Sequence, residues 1–337
     1  MMKAMTFFLL SFCWLVSNAT IWRVNSNQQI NADFSSLQNA INSALVLNGD
    51  TLYLENGSYF GTTTLTKNLV IIGPGYFLAE NDSTYANPFS ALISSLSLGN
   101  GSKGSKITGV TVTGDVLLSH NNASNITIER SYVGGQIVGS AADTGLTIRQ
   151  CYLVGGINSG NLVSSNVYNN IITNTITCYA ANGSHTIYNN VFYYYSTSPV
   201  WILYVKNSSV FNNIIIREPA GSSEYCVRFP DCTNSSFARN LMTQSVYPVF
   251  PDNIYGEVKE NIFTCVISTE KKWELKAGSP AIGYGTNGDD CGIYSGPMHY
   301  VLSGLPWLLP RIFKANIPSS GNGNVIPVHI TAKTQEE

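Results

Sequence analysis

From Lys106 to Thr264 the chain repeats one sentence: a short apolar run, a polar corner, a second short run. The plainest copies are NVYNNII around Asn170, TIYNNVF around Asn190 and SVFNNII around Asn213, with SFARNLM around Asn240 and EVKENIF around Asn261 as looser versions. TIERSYV and TIRQCYL carry Ser131 and Cys151 at the Asn position, and KITGVTV carries Val110 there. Successive intervals from Val110 are 21, 20, 19, 20, 23, 27 and 21 residues. A period of about 20 to 25 residues means that one unit cannot bury its own apolar face and must stack on copies of itself. That constraint rules out most folds before composition is considered.

Each unit is too short for a helix and rich in β-branched and aromatic residues, so the unit is built of strands. Pairs such as Ile187 and Val191, or Val210 and Ile214, are expected to point inward across a bend. Asn190 or Asn213 is expected in the bend, where Asn tolerates the left-handed backbone. In register, the Asn amides are expected to bond from rung to rung as a ladder.

These xNNx corners, with two flanking motifs, resemble the secreted right-handed parallel β-helix proteins of the pectate-lyase-like fold. The first flank is DFSSLQNAINSALVLNGDTLYL followed by NLVIIGPG. It reads as a helix with a capping box from Ser35 to Gln38, an apolar face of Phe34, Leu37, Ile41, Ala44 and Leu45, and a stop at Asn48-Gly49. Strands follow at Thr51 to Leu54 and Leu69 to Ile72, with another at 90 to 97. The second flank, WELKAGSPAIGYGTNGDDCGIY, looks like the closing segment of such proteins. The resemblance implies an all-β right-handed parallel β-helix with an N-terminal capping helix. After it, Pro310 to Ile317 and Val325 to Ala332 are expected to pair as a hairpin over the C-terminal edge of the coil, although a sorting or anchoring tail is the alternative.

Residues 1–19 read as a secretory signal: Lys3, an apolar run from Met5 to Val16, then Ser17-Asn18-Ala19. A lipoprotein reading through Cys13 is weakened by the preceding Phe12. The expected organisation is signal 1–19, β-helix with its cap 20–293, and a tail 294–337, with no transmembrane segment after cleavage. The expected location is secreted, periplasmic or cell-surface. Charged residues make up only 11% of the chain and the net charge is −2, which suits an Asn-, Ser- and Tyr-rich β surface and argues against nucleic acid as a partner.

Chemistry is harder to read. Six cysteines outside the signal, Cys151, Cys178, Cys226, Cys232, Cys265 and Cys291, show no zinc spacing and read mainly as buried thiols, with a Cys226–Cys232 bridge as the alternative. His120, His185, His299 and His329 are scattered and read as surface residues. No metal and no cofactor is expected. Rungs from Leu146 to Ile216 contain no Asp or Glu; Asp115 and Glu129 precede that gap, and Glu218, Glu224 and Asp231 follow it. A glycoside hydrolase needs two flanking carboxylates. Glu129 shares its repeat position with Arg149, which reads as a stacked surface ion pair, the alternative being an acid/base role. Asp289-Asp290 is ascribed to the closing motif.

Lys206 and Arg228, 22 residues apart and so about one rung, would supply a base and a cation for a polysaccharide lyase. Trp201, Tyr204 and Tyr225 lie near them in sequence and suit stacking on sugar rings, with Tyr193-Tyr194-Tyr195 one rung earlier. The alternative is that the aromatics form structural stacks. The function expected is a β-helix without catalysis that presents a face to carbohydrate, with Trp201, Tyr204, Lys206, Tyr225 and Arg228 as candidate binding residues. The alternative is a polysaccharide lyase acting on an acidic glycan or, behind it, a hydrolase.

Overall fold

A computed structural model describes residues 19–81, 86–118, 123–139, 143–160, 162–180, 182–195, 202–218, 232–244, 250–306, 310–320 and 325–333. Residues 1–18 of the expected signal segment, and with them the alternative lipidation site, therefore lie outside the described residues.

The molecule is nearly all-β, with long parallel sheets and few helices, consistent with a β-helix solenoid. One sheet stacks ten strands, from Ile21–Val24 through Lys106–Thr108, Thr127–Glu129 and Leu146–Arg149 to Ser236–Ala238. The other is two ladders joined through Ala91–Leu98. That strand pairs Leu92 with Thr111 and, further along, Leu96 with Val116. A repeat thus contributes three short strands where the sequence suggested two: Thr127–Glu129, Tyr132–Val133 and Ile137–Val138 in one, for example.

Register explains the core. Ile107, Ile128, Ile148, Val167, Ile187 and Val210 stack along the first ladder. They share one apolar cluster with Val133, Leu153, Ile172 and Phe192 of the second ladder and Val116, Ile137, Ile157 and Ile176 of the third. Val191 and Ile214 do not join this cluster. They point outward into a second cluster, and Phe192 and Ile215 take the inward positions. The corner between the two ladders is two residues long, so the inward set restarts one position later than a one-residue bend implies.

The Asn ladder is present. The Nδ2 groups of Asn170, Asn190, Asn213 and Asn240 each donate to the next Oδ1 at 2.9 Å. Each Oδ1 also accepts the preceding corner's backbone N–H, as Asn213 does from Asn190 at 3.0 Å. Cys151 and Ser131 continue the row by donating to the carbonyls of Arg149 and Glu129. The left-handed residue, however, is the one before: Arg130, Gln150, Asn169, Asn189, Asn212 and Arg239 have φ between 47° and 57°. The ladder ends at Asn253, not Asn261. EVKENIF forms a short helix at Lys259–Ile262 instead of a strand, because the last coil closes 13 residues after Asn240.

At the other end, the helix α1 spans only Leu37–Asn42 and buries Leu37, Ala40 and Ile41 in the main core. Its N-cap is Ser36, whose hydroxyl accepts from Asn39 N, rather than Ser35. Gln38 reaches sideways to pair with the backbone N–H and C=O of Thr64, covering part of a strand edge that would otherwise be open. Ser43 turns extended, so Leu45 is exposed. Among the described residues, no helix is long and apolar enough to cross a membrane.

The segment after the coil runs back along it. Cys291 Sγ meets Arg239 O, and Asn212 Oδ1 accepts from Thr286. Asn169 Nδ2 donates to Ile293 O and Ser295 O, Gln150 Nε2 to His299 O, and Arg130 Nη1 to Leu305 O. The left-handed corner residues thus form a rail on which 286–305 is docked. Beneath it lie Tyr152, Ile171, Val191, Ile214 and Leu241, which are outward-facing yet buried. Arg311–Asn316 and His329–Lys333 pair antiparallel as expected. The hairpin does not cover the C-terminal edge, because its approach runs toward the early coils and Ile312 O accepts from Ala86 N.

Candidate functional site

In early repeats the second strand is two residues long and is followed by glycine, as at Gly134-Gly135. At Val191–Tyr195 and Ile214–Glu218 the glycines are gone and both strands run on for five residues, pairing Tyr193 with Ile216, Tyr194 with Arg217 and Tyr195 with Glu218. The strands Ile171–Ile172 and Leu241–Met242 also lack a following glycine yet stay two residues long, so it is the mutual pairing of Tyr193–Tyr195 with Ile216–Glu218 that carries this pair beyond the regular coil. The helix α2, Lys259–Ile262, packs Ile262 and the following Phe263 on the outward row with Trp273. A cleft of about 350 Å³ opens between the two, lined among others by Tyr195, Arg217, Glu218, Glu257, Lys259 and Glu260. A smaller one of about 130 Å³ adjoins it at Lys259 and reaches Tyr193 and Lys272.

Glu218 is the hub. Its carboxylate accepts from Lys259 Nζ at 2.6 Å and from the Tyr193 hydroxyl at 2.8 Å. Burial raises its pKa, but these two donors outweigh burial and hold the group below the usual range. Burial, then Glu218, pushes the Tyr193 phenol up to about 12. Burial and the neighbouring Lys259 lower the Lys272 ammonium, whose Nζ sits 4.9 Å from the Trp273 ring and 5.6 Å from that of Tyr193. Tyr195, by contrast, is 70% exposed at the cleft. The site therefore offers one open aromatic face beside alternating donors and acceptors.

Of the candidate binding residues named from sequence, Tyr204 and Lys206 are described and neither lines this cleft. Tyr204 points outward from the third ladder between buried Leu203 and Val205, stacked on Tyr179 with ring centres 5.1 Å apart. Lys206 follows it, half-buried, its N–H bonded to Cys178 O. Trp201, Tyr225 and Arg228 lie outside the described residues, as do Cys226, His120, Glu224 and Asp231. Glu257 and Glu260 were missed because EVKENIF reads as a strand copy. The signal that marks them is the Gly256 left-handed turn after Tyr255, which breaks the repeat before they begin.

Other titratable groups are accounted for. Glu129 pairs with Arg149 and with Lys106, the latter at 2.7 Å, but it is buried rather than at the surface. Burial raises its pKa, and the two cations more than reverse that. His185 is buried as well, with Nδ1 2.9 Å from Ser165 Oγ and its pKa lowered to about 4 by burial. Cys151, Cys178 and Cys291 are buried free thiols, and Cys265 is exposed. Asp290 accepts from Gly283 N within the closing segment. No protein-family model matches the chain, and no curated protein or solved structure matches it.

Proposed function

We propose that this chain is an exported right-handed parallel β-helix, capped by α1, that binds carbohydrate in the Tyr195–Glu218–Lys259 cleft. One observation carries the reading: an exposed aromatic ring stands at the mouth of a cleft whose walls alternate cations and carboxylates. A sugar offers an apolar ring face and hydroxyls that both donate and accept. Tyr195 suits the face, Glu218, Glu257 and Glu260 accept, and Lys259 donates. Titration calorimetry over a panel of neutral and acidic oligosaccharides tests this. Tyr195→Ala should weaken the best ligand by about threefold to tenfold, the worth of one aromatic contact, and Glu218→Gln should weaken it further. Unchanged affinity in both variants would remove the site.

A second reading, hydrolysis, is favoured by three glutamates lining one cleft. Glu218 is held ionised by Lys259 and Tyr193 and so suits the base or nucleophile, leaving Glu257 or Glu260 as the acid. New reducing ends that disappear in Glu218→Gln support it. Binding without new reducing ends supports the non-catalytic reading. Unsaturated uronate products would instead restore the lyase reading built on Lys206 and Arg228.

A further inference from the structure

The smaller pocket beside the cleft is lined by Tyr193, Lys259, Cys265, Val266, Lys272 and Trp273. Their side chains bring two ammoniums, an indole and a thiol, and no carboxylate or amide. The one hydroxyl, on Tyr193, already donates to Glu218. The cleft next door alternates donors and acceptors, whereas this pocket is built almost wholly of donors.

Two of those donors are uncommitted. Lys259 Nζ is held by Glu218 at 2.6 Å. Lys272 has no ion-pair partner among the described residues. Its ammonium and that of Lys259 each lie 5.6 Å from the centre of the same Tyr193 ring, and Lys272 Nζ is 4.9 Å from the Trp273 ring. Aromatic faces and a like charge are its near neighbours. Glu80 and Glu218 act on it from farther off, but burial and Lys259 outweigh them and lower the Lys272 ammonium. The second free donor is Trp273 Nε1. Trp273 is 2% exposed and its N–H has no acceptor. A buried donor left unpaired is costly. An uncompensated ammonium beside it adds a second cost, and one small acceptor-only anion relieves both.

We propose that this pocket is an oxyanion subsite in which Lys272 and the Trp273 N–H bind an anionic group, with Lys259 at its boundary with the cleft. Resting on the carbohydrate reading of that cleft, the group is the carboxylate or sulfate of an acidic sugar whose neighbouring ring lies against Tyr195. Both groups are pure acceptors that form charge-assisted bonds with an ammonium, and shared Lys259 makes pocket and cleft continuous.

The first test titrates the intact chain with sodium sulfate, replacing sodium chloride at constant ionic strength, and follows the indole N–H resonance of Trp273 by NMR. A saturable shift is expected. Lys272→Arg should keep it, and Lys272→Met should raise the half-saturating sulfate by about tenfold, the worth of one charge-assisted hydrogen bond. Lys272 is only half-buried and Met keeps the length of its stem, so both variants should keep the parent's melting transition. An indole resonance that stays put, or the same curve in Lys272→Met, overturns the subsite. The second test pairs each acidic oligosaccharide of the calorimetric panel with its methyl-esterified or desulfated form. The acid should bind about tenfold more tightly than its neutral form in the parent and equally in Lys272→Met. Saccharides that bind the parent equally in both forms overturn the inference and leave the cleft reading intact. A sulfate response with no saccharide bound overturns the acidic-sugar assignment together with the cleft reading, and leaves a free anion as the occupant.

Discussion

Asn189 and Asn190 are adjacent, identical and do different work. Asn189 holds φ at 53° and sends its amide outward toward Ser295 O. Asn190 is wholly buried and donates to Asn213 Oδ1, Val167 O and Tyr188 O while accepting from Asn170. Asn190→Ala leaves several buried polar groups without partners and should cost about 3 kcal/mol. Asn189→Gly keeps the backbone conformation at no steric cost and should change stability by under about 1 kcal/mol. Denaturant unfolding of the two variants compares them directly, and similar losses would show that the two residues are not divided in this way. The doublet was legible in the sequence as a corner. Which Asn turned and which laddered was not, because both roles draw on the same side chain.

The return segment owes its position to the corner rail. It covers an outward row that alternation alone assigns to solvent, which is why Tyr152, Ile171, Val191 and Ile214 look like inward residues in the sequence. Asn169→Gly preserves the left-handed turn but deletes both bonds to Ile293 O and Ser295 O. It should speed amide exchange around residues 293–295 by about thirtyfold, since each of the two lost hydrogen bonds is worth about 1 kcal/mol, while leaving the strand amides of the coil protected. Equal exchange in parent and variant would mean that the apolar contacts below hold the segment unaided. α1 is local by comparison: its capping serine and buried face are readable within a few residues, and only its short length was not.

Glu270 ties the molecule together. Its carboxylate accepts from Asn81 Nδ2, from the Tyr300 hydroxyl at 2.6 Å and from Ser303 N, and Tyr300 in turn lies 2.6 Å from the Tyr76 hydroxyl. Burial pushes its pKa from 4.5 up to about 7 despite those donors. A raised folded-state value means the unfolded chain loses its proton first as pH rises. The stability this group contributes is therefore fully present below about pH 4.5 and is lost as pH climbs through about 7, a change of about 3 kcal/mol. Buried His185, whose folded value is lowered to about 4, adds stability as pH rises over the same window, so the reading is the difference: the unfolding free energy of the parent minus that of Glu270→Gln should fall by about 3 kcal/mol between pH 4.5 and 7. The same pH dependence in both would place the titrating group elsewhere.

The repeat by itself determined that this chain stacks short parallel strands around one apolar interior, and that its corners are joined by Asn. Those features are local and recur, so each copy restates the same pattern of burial and bonding every 20 or so residues. The path of 286–305, the pairing of Glu218 with Lys259 and the clamp at Glu270 were decided only in three dimensions. Their partners lie 30 to 224 residues apart and occur once each, so no periodicity announces them. The cleft arises where the repeat stops repeating: the strands that begin at Val191 and Ile214 run on for five residues, and α2 follows the last short strand, Ile254–Tyr255.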